Sequence, residues 1–396
     1  MKIGIVSSID ESCGNATFSQ HLIQNINKSG HSAIPIGLSL DLTQSLNSHI
    51  RSQADKEIKK ICKEISTYDG VNIQFEAGLY GSSHRDIYRR LRLLLNANPN
   101  TTITLHATRF HDLSIYTKKK AIKDLLSLRL KEAILTLSRN LINQKIIKNN
   151  LSYVKLCVKA KVKIITHTTS ARNSVIALTG YSNTYLHPIK FTDPNKVEPN
   201  RNYWLKRLNL ENEDYLIGVF GFISEYKGIQ TAISALKFLP KEYKLLIIGR
   251  QHPRTIREHM LINPFLKKLL KKIKLDKKNN LKSRIIFTNE LEDSEFMELA
   301  ATVDCAWLPY LETGQDGSGV ASILFDLSKR VVASQCKVFD ELFRLVPEYK
   351  CERFDIGNYM ELAGKTINYV EYRNLNKRMS YSDESQTYLY LNLLSE

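Results

Sequence analysis

The sequence predicts an α/β protein made of two doubly wound, Rossmann-like units. Three observations carry that expectation. Short apolar runs alternate with helix-length segments from Lys2 to Leu178, a polar segment with two prolines (Lys190 to Asn202, KFTDPNKVEPNRN) interrupts them, and the alternation restarts at Tyr215. Such alternation marks parallel sheets covered by helices on both faces. At 396 residues the chain is also too long for one small core.

Taken in order, Lys2–Ser8 reads as a buried strand and Ile9–Asn15 as a loop turning at Gly14. Ala16–Lys28 is a helix with Phe18, Leu22, Ile23 and Ile26 on one face, stopped by Gly30. Strands follow at Ser32–Leu38, Gly70–Phe75, Thr101–Leu105 and Val162–Thr166, with helical pattern at Ser52–Ile65, Arg85–Leu95, Lys118–Lys148 and Ser170–Leu178. Beyond the proline-bearing segment, strands are expected at Tyr215–Phe220, Tyr243–Ile248 and Arg284–Phe287, and helices at Gly228–Leu239 and Ser294–Ala301. The implied organisation is a first domain at 1–190, a linker at 191–202, a second domain at 203–378 and a closing helical segment at 379–396, whose apolar Tyr388, Tyr390, Leu391 and Leu394 need a surface to dock on.

The stretch Ala301–Ser334 (ATVDCAWLPYLETGQDGSGVASILFDLSKRVVAS) is the most telling. It reads as a strand, a glycine-rich loop, an apolar helix and a second buried strand. Gly314, Gly317 and Gly319 permit a tight turn, and Ser318 sits where an N-cap would, so the amides of Gly319, Val320 and Ala321 point out of the helix start. Free amides at the positive end of a helix dipole suit a phosphate or diphosphate. An ordinary strand-to-helix turn that binds nothing has the same appearance.

Composition is that of a globular protein, with 43% hydrophobic and 24% charged residues. No run approaches the ~20 apolar residues of a membrane span, and the N-terminus lacks a signal-peptide core, so the expected location is cytoplasmic. Cys13, Cys62, Cys157, Cys305, Cys336 and Cys351 form no CxxC pair, and no His/Cys/Asp spacing suggests a metal site. The net charge of +17 is the outlying number. It suits nucleic acid, an anionic membrane or acidic small molecules. Nucleic acid is the weakest of these, because the lysines are dispersed and no known nucleic-acid motif is present. The helix Pro264–Leu275 (PFLKKLLKKIKL) has one apolar face and five lysines around the rest. It either lies on an anionic membrane or packs that face on its own sheet with the lysines in water. Arg89, Arg90, Arg92 and Lys118–Lys120 add positive charge to the first domain.

Several pieces, in order, resemble the GT-B nucleotide-sugar glycosyltransferases of the group called glycosyl transferases group 1. They are the glycine loop of GIVSSIDESCGNATFSQHLIQNINKSGH, the strand of YDGVNIQFEAGLYG, TLHATRF, GVFGFISEYKGIQTAISAL with Lys227-Gly228, then VDCAWLPY, GSGV and KRVVAS. The likeness is specific only over Gly221–Ser334. The resemblance implies the GT-B fold, with a ligand cleft between two Rossmann-like domains and a last helix crossing back to the first. Two departures stand out. Phe222 occupies a position that is often arginine, and the family's paired glutamates fall on Gln315 and Ile323, as in the subset with a GSGV-type loop. Glu312 or Asp316 is then the carboxylate left to hold the ribose or sugar.

The resemblance implies a metal-independent transferase that moves a hexose from a UDP- or GDP-sugar to a hydroxyl of a surface glycan or glycolipid, with retention of configuration. No metal or other cofactor is expected. The catalytic candidates are His106, Glu76 and Lys227. Lys227 would neutralise a diphosphate leaving group, His106 would touch the sugar, and Glu76 would orient or deprotonate the acceptor. The donor-binding candidates are Gly14, Asn15, Gly221, Lys227, Arg250, Gln315, Asp316, Gly317, Ser318, Gly319 and Val320. Each has a plain alternative as an ordinary turn, cap or surface residue, and a GT-B-shaped protein that binds without turnover is the second functional reading. Peripheral contact with an anionic membrane is the further partner expected.

Overall fold

The computed structural model describes residues 1–9, 14–108, 110, 114–127, 129–190, 192–251, 262–311, 316–346, 350–367 and 383–395. The chain divides into two compact units. One holds Met1–Ile189, Gly314–Gly317 and Glu384–Glu396, and the other holds Lys190–Thr313 and Ser318–Asp383.

The first unit is built on six parallel strands: β1 (Lys2–Ser7), β2 (Ser32–Gly37), β3 (Gly70–Phe75), β4 (Thr101–Leu105), β5 (Lys163–Thr166) and β6 (Thr184–Leu186). Their order across the sheet is β2-β1-β3-β4-β5-β6. Val71, Ile73 and Phe75 face one side and join Val6, Ile103 and Ile164 in the core. Period-two alternation sends Asn72 and Gln74 to the other face. These buried amides are satisfied by one another and by neighbours. Gln74 donates to Asn72, whose amide donates to Thr102 (2.8 Å) and Thr104 (3.2 Å). The helix Asp383–Ser395 closes this side, with the Tyr390 hydroxyl 2.9 Å from Thr104 Oγ1 and Lys163 Nζ donating to the Leu393 carbonyl at 3.0 Å. Gly70 lets Leu394 come close, since a Cβ there would stand 3.3 Å from Leu394 Cβ. The sequence expected this helix to return to the first domain, and it does.

The second unit carries β7 (Tyr215–Phe220), β8 (Tyr243–Ile248), β9 (Ile285–Asn289), β10 (Cys305–Leu308), β11 (Val331–Ser334) and β12 (Cys351–Phe354), in the order β12-β11-β10-β7-β8-β9. All pairs are parallel. Ile217, Val219, Leu245, Ile247, Trp307 and Val332 fill its core. The Trp307 indole N–H is satisfied by Thr366 Oγ1 at 3.1 Å. Two parallel, helix-covered six-stranded sheets of this kind make up the GT-B fold.

Several expectations meet a different structure. The region 118–148 is two helices, Ser114–Leu126 and Leu130–Lys159, because a helical period carries no mark of a chain reversal. The segment expected as a linker is tied down: Thr192 donates to Asp326 at 3.0 Å, Lys190 pairs with the same carboxylate at 2.6 Å, and a helix begins at Arg201. The helix Pro264–Leu275 buries Leu269 and Ile273 against the second core and packs Phe265 and Leu266 partly on it, so most of its apolar face is spent inside the unit, with Leu270 and Leu275 left exposed. Arg90 is fully buried, donating to Asp55 and to the Thr43, Tyr80 and Arg51 carbonyls, and Arg89 pairs with Asp55 and Asp86. Part of the formal positive charge is therefore internal. Among the described residues no helix is long and apolar enough to cross a membrane.

Candidate active site

In doubly wound sheets, ligands sit beyond the carboxyl ends of the strands, where the winding direction reverses. In the second unit that reversal falls between β7 and β10, neighbours in space but not in sequence. Most of the predicted donor residues there converge on it. After β7 comes Gly221 at φ 97°, where a Cβ would lie 3.1 Å from Val320 Cγ2 and 3.4 Å from Lys227 Nζ. Gly228 follows at φ 67°, and a Cβ there would stand 1.7 Å from the Pro309 carbonyl oxygen. Only glycine lets the loop after β7 lie this close to the end of β10.

Lys227 is buried, at 4% exposed. Its ammonium donates to the Tyr310 hydroxyl and stands 4.1 Å from that ring's centroid. Among the described residues no carboxylate pairs with it. Burial alone pushes its pKa down to about 7. The Tyr310 hydroxyl lies 3.2 Å from Ser318 Oγ, which accepts from the Ala321 amide at 3.2 Å. Ser318 is thus the N-cap of the helix Gly319–Leu327, as its type and place predicted. The cap uses the Ala321 amide. The amides of Gly319 and Val320 have no partner among the described residues. Among the described residues this leaves a buried cation without an anion beside two open amides at a helix N-terminus, an arrangement short of negative charge.

The other predicted donor residues fare differently. Arg250 pairs with Glu290 at 2.7 Å, so its charge is already answered. Asp316 is buried and its carboxylate accepts from the Thr108 amide and hydroxyl. Both it and Gly317 belong to the first unit, where a Cβ on Gly317 would meet Ile189 Cδ1 at 2.4 Å. Gln315, with Glu312 and Gly314, lies outside the described residues. Ile323, at the second family-glutamate position, is a buried apolar residue of the capped helix.

In the first unit the winding reverses between β1 and β3. Gly14 and Asn15 open the helix Gly14–Lys28 after β1, with no acidic residue in its first turn. Asn15 is buried; its side-chain Oδ1 accepts from Ser7 Oγ, which in turn accepts from Ser19 Oγ at 2.7 Å, while its Nδ2 has no partner among the described residues. A Cβ on Gly14 would meet nothing within 4 Å. Glu76 follows β3, exposed, without capping the helix Ala77–Tyr80.

His106 follows β4 and Nε2 lies 2.7 Å from Gln74 Oε1. Since the Gln74 amide nitrogen is committed to Asn72, the oxygen accepts and Nε2 carries the proton. The Nδ1 lone pair is what His106 has left to offer. Burial, then the neighbouring His167 ring, hold its pKa well below the usual histidine value. His167 was missed from the sequence. Its ring centroid is 4.8 Å from that of His106, its Nδ1 lies 2.9 Å from the His187 carbonyl, and its buried Nε2 has no partner. Burial pushes its pKa down to about 4. The signal was present, because Thr166-His167 closes an apolar strand just as Leu105-His106 does. Tyr310, also not singled out, ends WLPY in the same way.

Solved structures give the fold an outside reference. Anabaena HepE in complex with UDP is 15% identical, with a TM-score of 0.64 over 100% of this chain and 93% of that one. Sucrose-phosphate synthase from Thermosynechococcus elongatus is 14% identical, with a TM-score of 0.63 over 93% and 89%. UDP-GlcNAc 2-epimerase from Methanocaldococcus jannaschii is 12% identical, with a TM-score of 0.57 over 100% of both chains. This chain is similar to all three in fold, and they do not share one reaction. No family model matches the sequence, and no curated protein does.

Proposed function

We propose that the protein is a glycosyltransferase that takes a nucleoside-diphosphate sugar, UDP-linked before GDP-linked, and passes the hexose to a hydroxyl of a glycan or glycolipid. The observation that carries this reading is Lys227, a buried ammonium with no carboxylate partner among the described residues, beside the open amides of Gly319 and Val320. A diphosphate supplies the charge that this arrangement lacks. The neighbours add support of a general kind, since HepE was solved with UDP and with UDP-glucose.

In this reading the acceptor oxygen bonds to the sugar C1 as the bond from C1 to the phosphate oxygen breaks. The electron pair departs on the diphosphate, where Lys227 and the two amides stabilise it. The hydroxyl proton passes to a base, for which Glu76 and the Nδ1 lone pair of His106 are the candidates. Retention of configuration and independence of added metal belong to the proposal, with cation and amides in the charge-neutralising role.

Titration calorimetry with UDP, GDP and CMP, followed by a turnover assay with the matching sugars, tests it. Binding of one nucleotide and release of that nucleotide with transfer, unchanged by EDTA, is expected. No binding of any diphosphate overturns the assignment, and binding without turnover leaves a sugar-nucleotide-binding protein in its place.

A further inference from the structure

The first unit carries an apolar surface that its fold does not use. Nine large apolar side chains between Ile122 and Ile142 are exposed, Leu126 at 82%, Leu141 at 67% and Ile134 at 62% among them. Elsewhere among the described residues no stretch of similar length carries as many. All nine lie on the helices Ser114–Leu126 and Leu130–Lys159, which lie against each other. On the longer helix, Ala133, Asn140, Tyr153 and Cys157 turn inward. Leu130, Ile134, Leu137 and Leu141 recur every three or four residues and so form an exposed stripe along the helix. Lys145 and Lys148 continue that stripe by the same spacing, both exposed.

A contiguous apolar patch in water is costly, and on a folded surface it marks a contact. The charge around it selects the partner. Between Ser114 and Asn150 the chain has Lys118, Lys119, Lys120, Lys123, Arg129, Lys131, Arg139, Lys145 and Lys148 against Asp124 and Glu132, so nine cations face two anions for a net of +7. Lys119, Lys123, Arg129, Lys145 and Lys148 are exposed, and none makes an ion pair among the described residues. Apolar side chains rimmed by unpaired cations match the boundary of an anionic bilayer, where acyl chains take the former and headgroup phosphates the latter. A second copy of this chain would bring +7 against +7.

We propose that these two helices dock the protein on an anionic membrane surface, lying at the interface rather than crossing it. This goes beyond the proposed transfer reaction and does not depend on it. It also moves the membrane contact away from Pro264–Leu275, whose apolar face is mostly occupied.

The test is co-sedimentation of the full chain with vesicles of phosphatidylcholine alone and of phosphatidylcholine with about one third phosphatidylglycerol. Binding is expected only to the anionic vesicles. Two sets of substitutions, all at exposed positions, should each weaken it about tenfold or more: Leu126→Ser with Ile134→Ser and Leu141→Ser, and Lys119→Gln with Lys123→Gln, Lys145→Gln and Lys148→Gln. Changing Lys267, Lys268, Lys271 and Lys272 to Gln should leave it unchanged. Thermal unfolding of each variant confirms that the fold is intact. The proposal is overturned if wild type ignores anionic vesicles, if neither set weakens binding, or if the change at 267–272 abolishes it. It is equally overturned if light scattering shows a dimer that the serine set dissociates and no vesicle binding, since a second copy would then cover the face.

Discussion

Beyond β7 and β10 the second unit gathers a buried ammonium, two open helix amides and glycines that admit no side chain. Beyond β4 and β5 the first unit gathers two uncharged imidazoles, held by Gln74 and by the His187 carbonyl. Both lie at strand ends of parallel sheets, yet among the described residues one leaves a cation without an anion and the other pairs its imidazoles with neutral groups. In the proposed reaction this difference divides the roles: the second unit's site takes the group bearing full charge, and the first unit's takes hydroxyls that exchange hydrogen bonds and a proton.

The comparison can be broken most strongly at the backbone. Gly228→Ala puts a Cβ into the Pro309 carbonyl at a left-handed φ and should cost about 3 kcal/mol or more in urea unfolding. Gly14→Ala meets open space and should stay within about 0.5 kcal/mol. If the two cost the same, the second site is not built more tightly than the first.

His106→Ala should reduce transfer about a hundredfold while leaving nucleotide affinity within about twofold, as expected of a group acting on proton or sugar. A loss confined to nucleotide binding would move His106 into the donor site. Acid stability offers a sharper contrast. His167 stays neutral in the fold down to about 4, whereas the unfolded side chain takes a proton below about 6.5. The unfolded state therefore binds more protons in that window, and stability should fall on acidification through it. Lys227 gives up its proton near 7 in the fold, whereas an unfolded lysine keeps it to about 10.4, so stability should rise with pH between those values. Urea midpoints across pH should show a shallower acid limb in His167→Phe, with His106 supplying the remainder, and no alkaline rise in Lys227→Met.

Smaller again than the loss expected of His106→Ala is the affinity effect of the same lysine. Lys227→Met should weaken nucleoside-diphosphate binding about tenfold or more, about 1.4 kcal/mol. Wild type should also take up protons on binding near pH 8, measured by calorimetry in buffers of different ionisation enthalpy, because the anion recharges the lysine. Unchanged affinity in the variant would return Lys227 to a purely structural role.

Much of this was legible in the chain. β3, β4, β7 and β8 fall where the apolar runs placed them, because a buried parallel strand must be apolar on at least one face and end at a turn residue. Ser318 as a cap follows from local backbone chemistry, which a sequence states directly. Local chemistry also says that Pro264–Leu275 is amphipathic, but only packing says whether its apolar face is free.

Sequence alone therefore settled core strands such as β3, β4, β7 and β8 and the Ser318 cap, since each depends on neighbours within a few residues, while β6 and β12 went unread. Tertiary structure decided which charges are answered. Arg250 and Arg90 meet carboxylates distant in sequence, Lys227 meets none among the described residues, and the apolar stripe from Leu130 to Leu141 stays uncovered while that of Pro264–Leu275 is mostly buried. Electrostatic balance and burial depend on what the fold brings alongside, and a one-dimensional pattern does not contain that information.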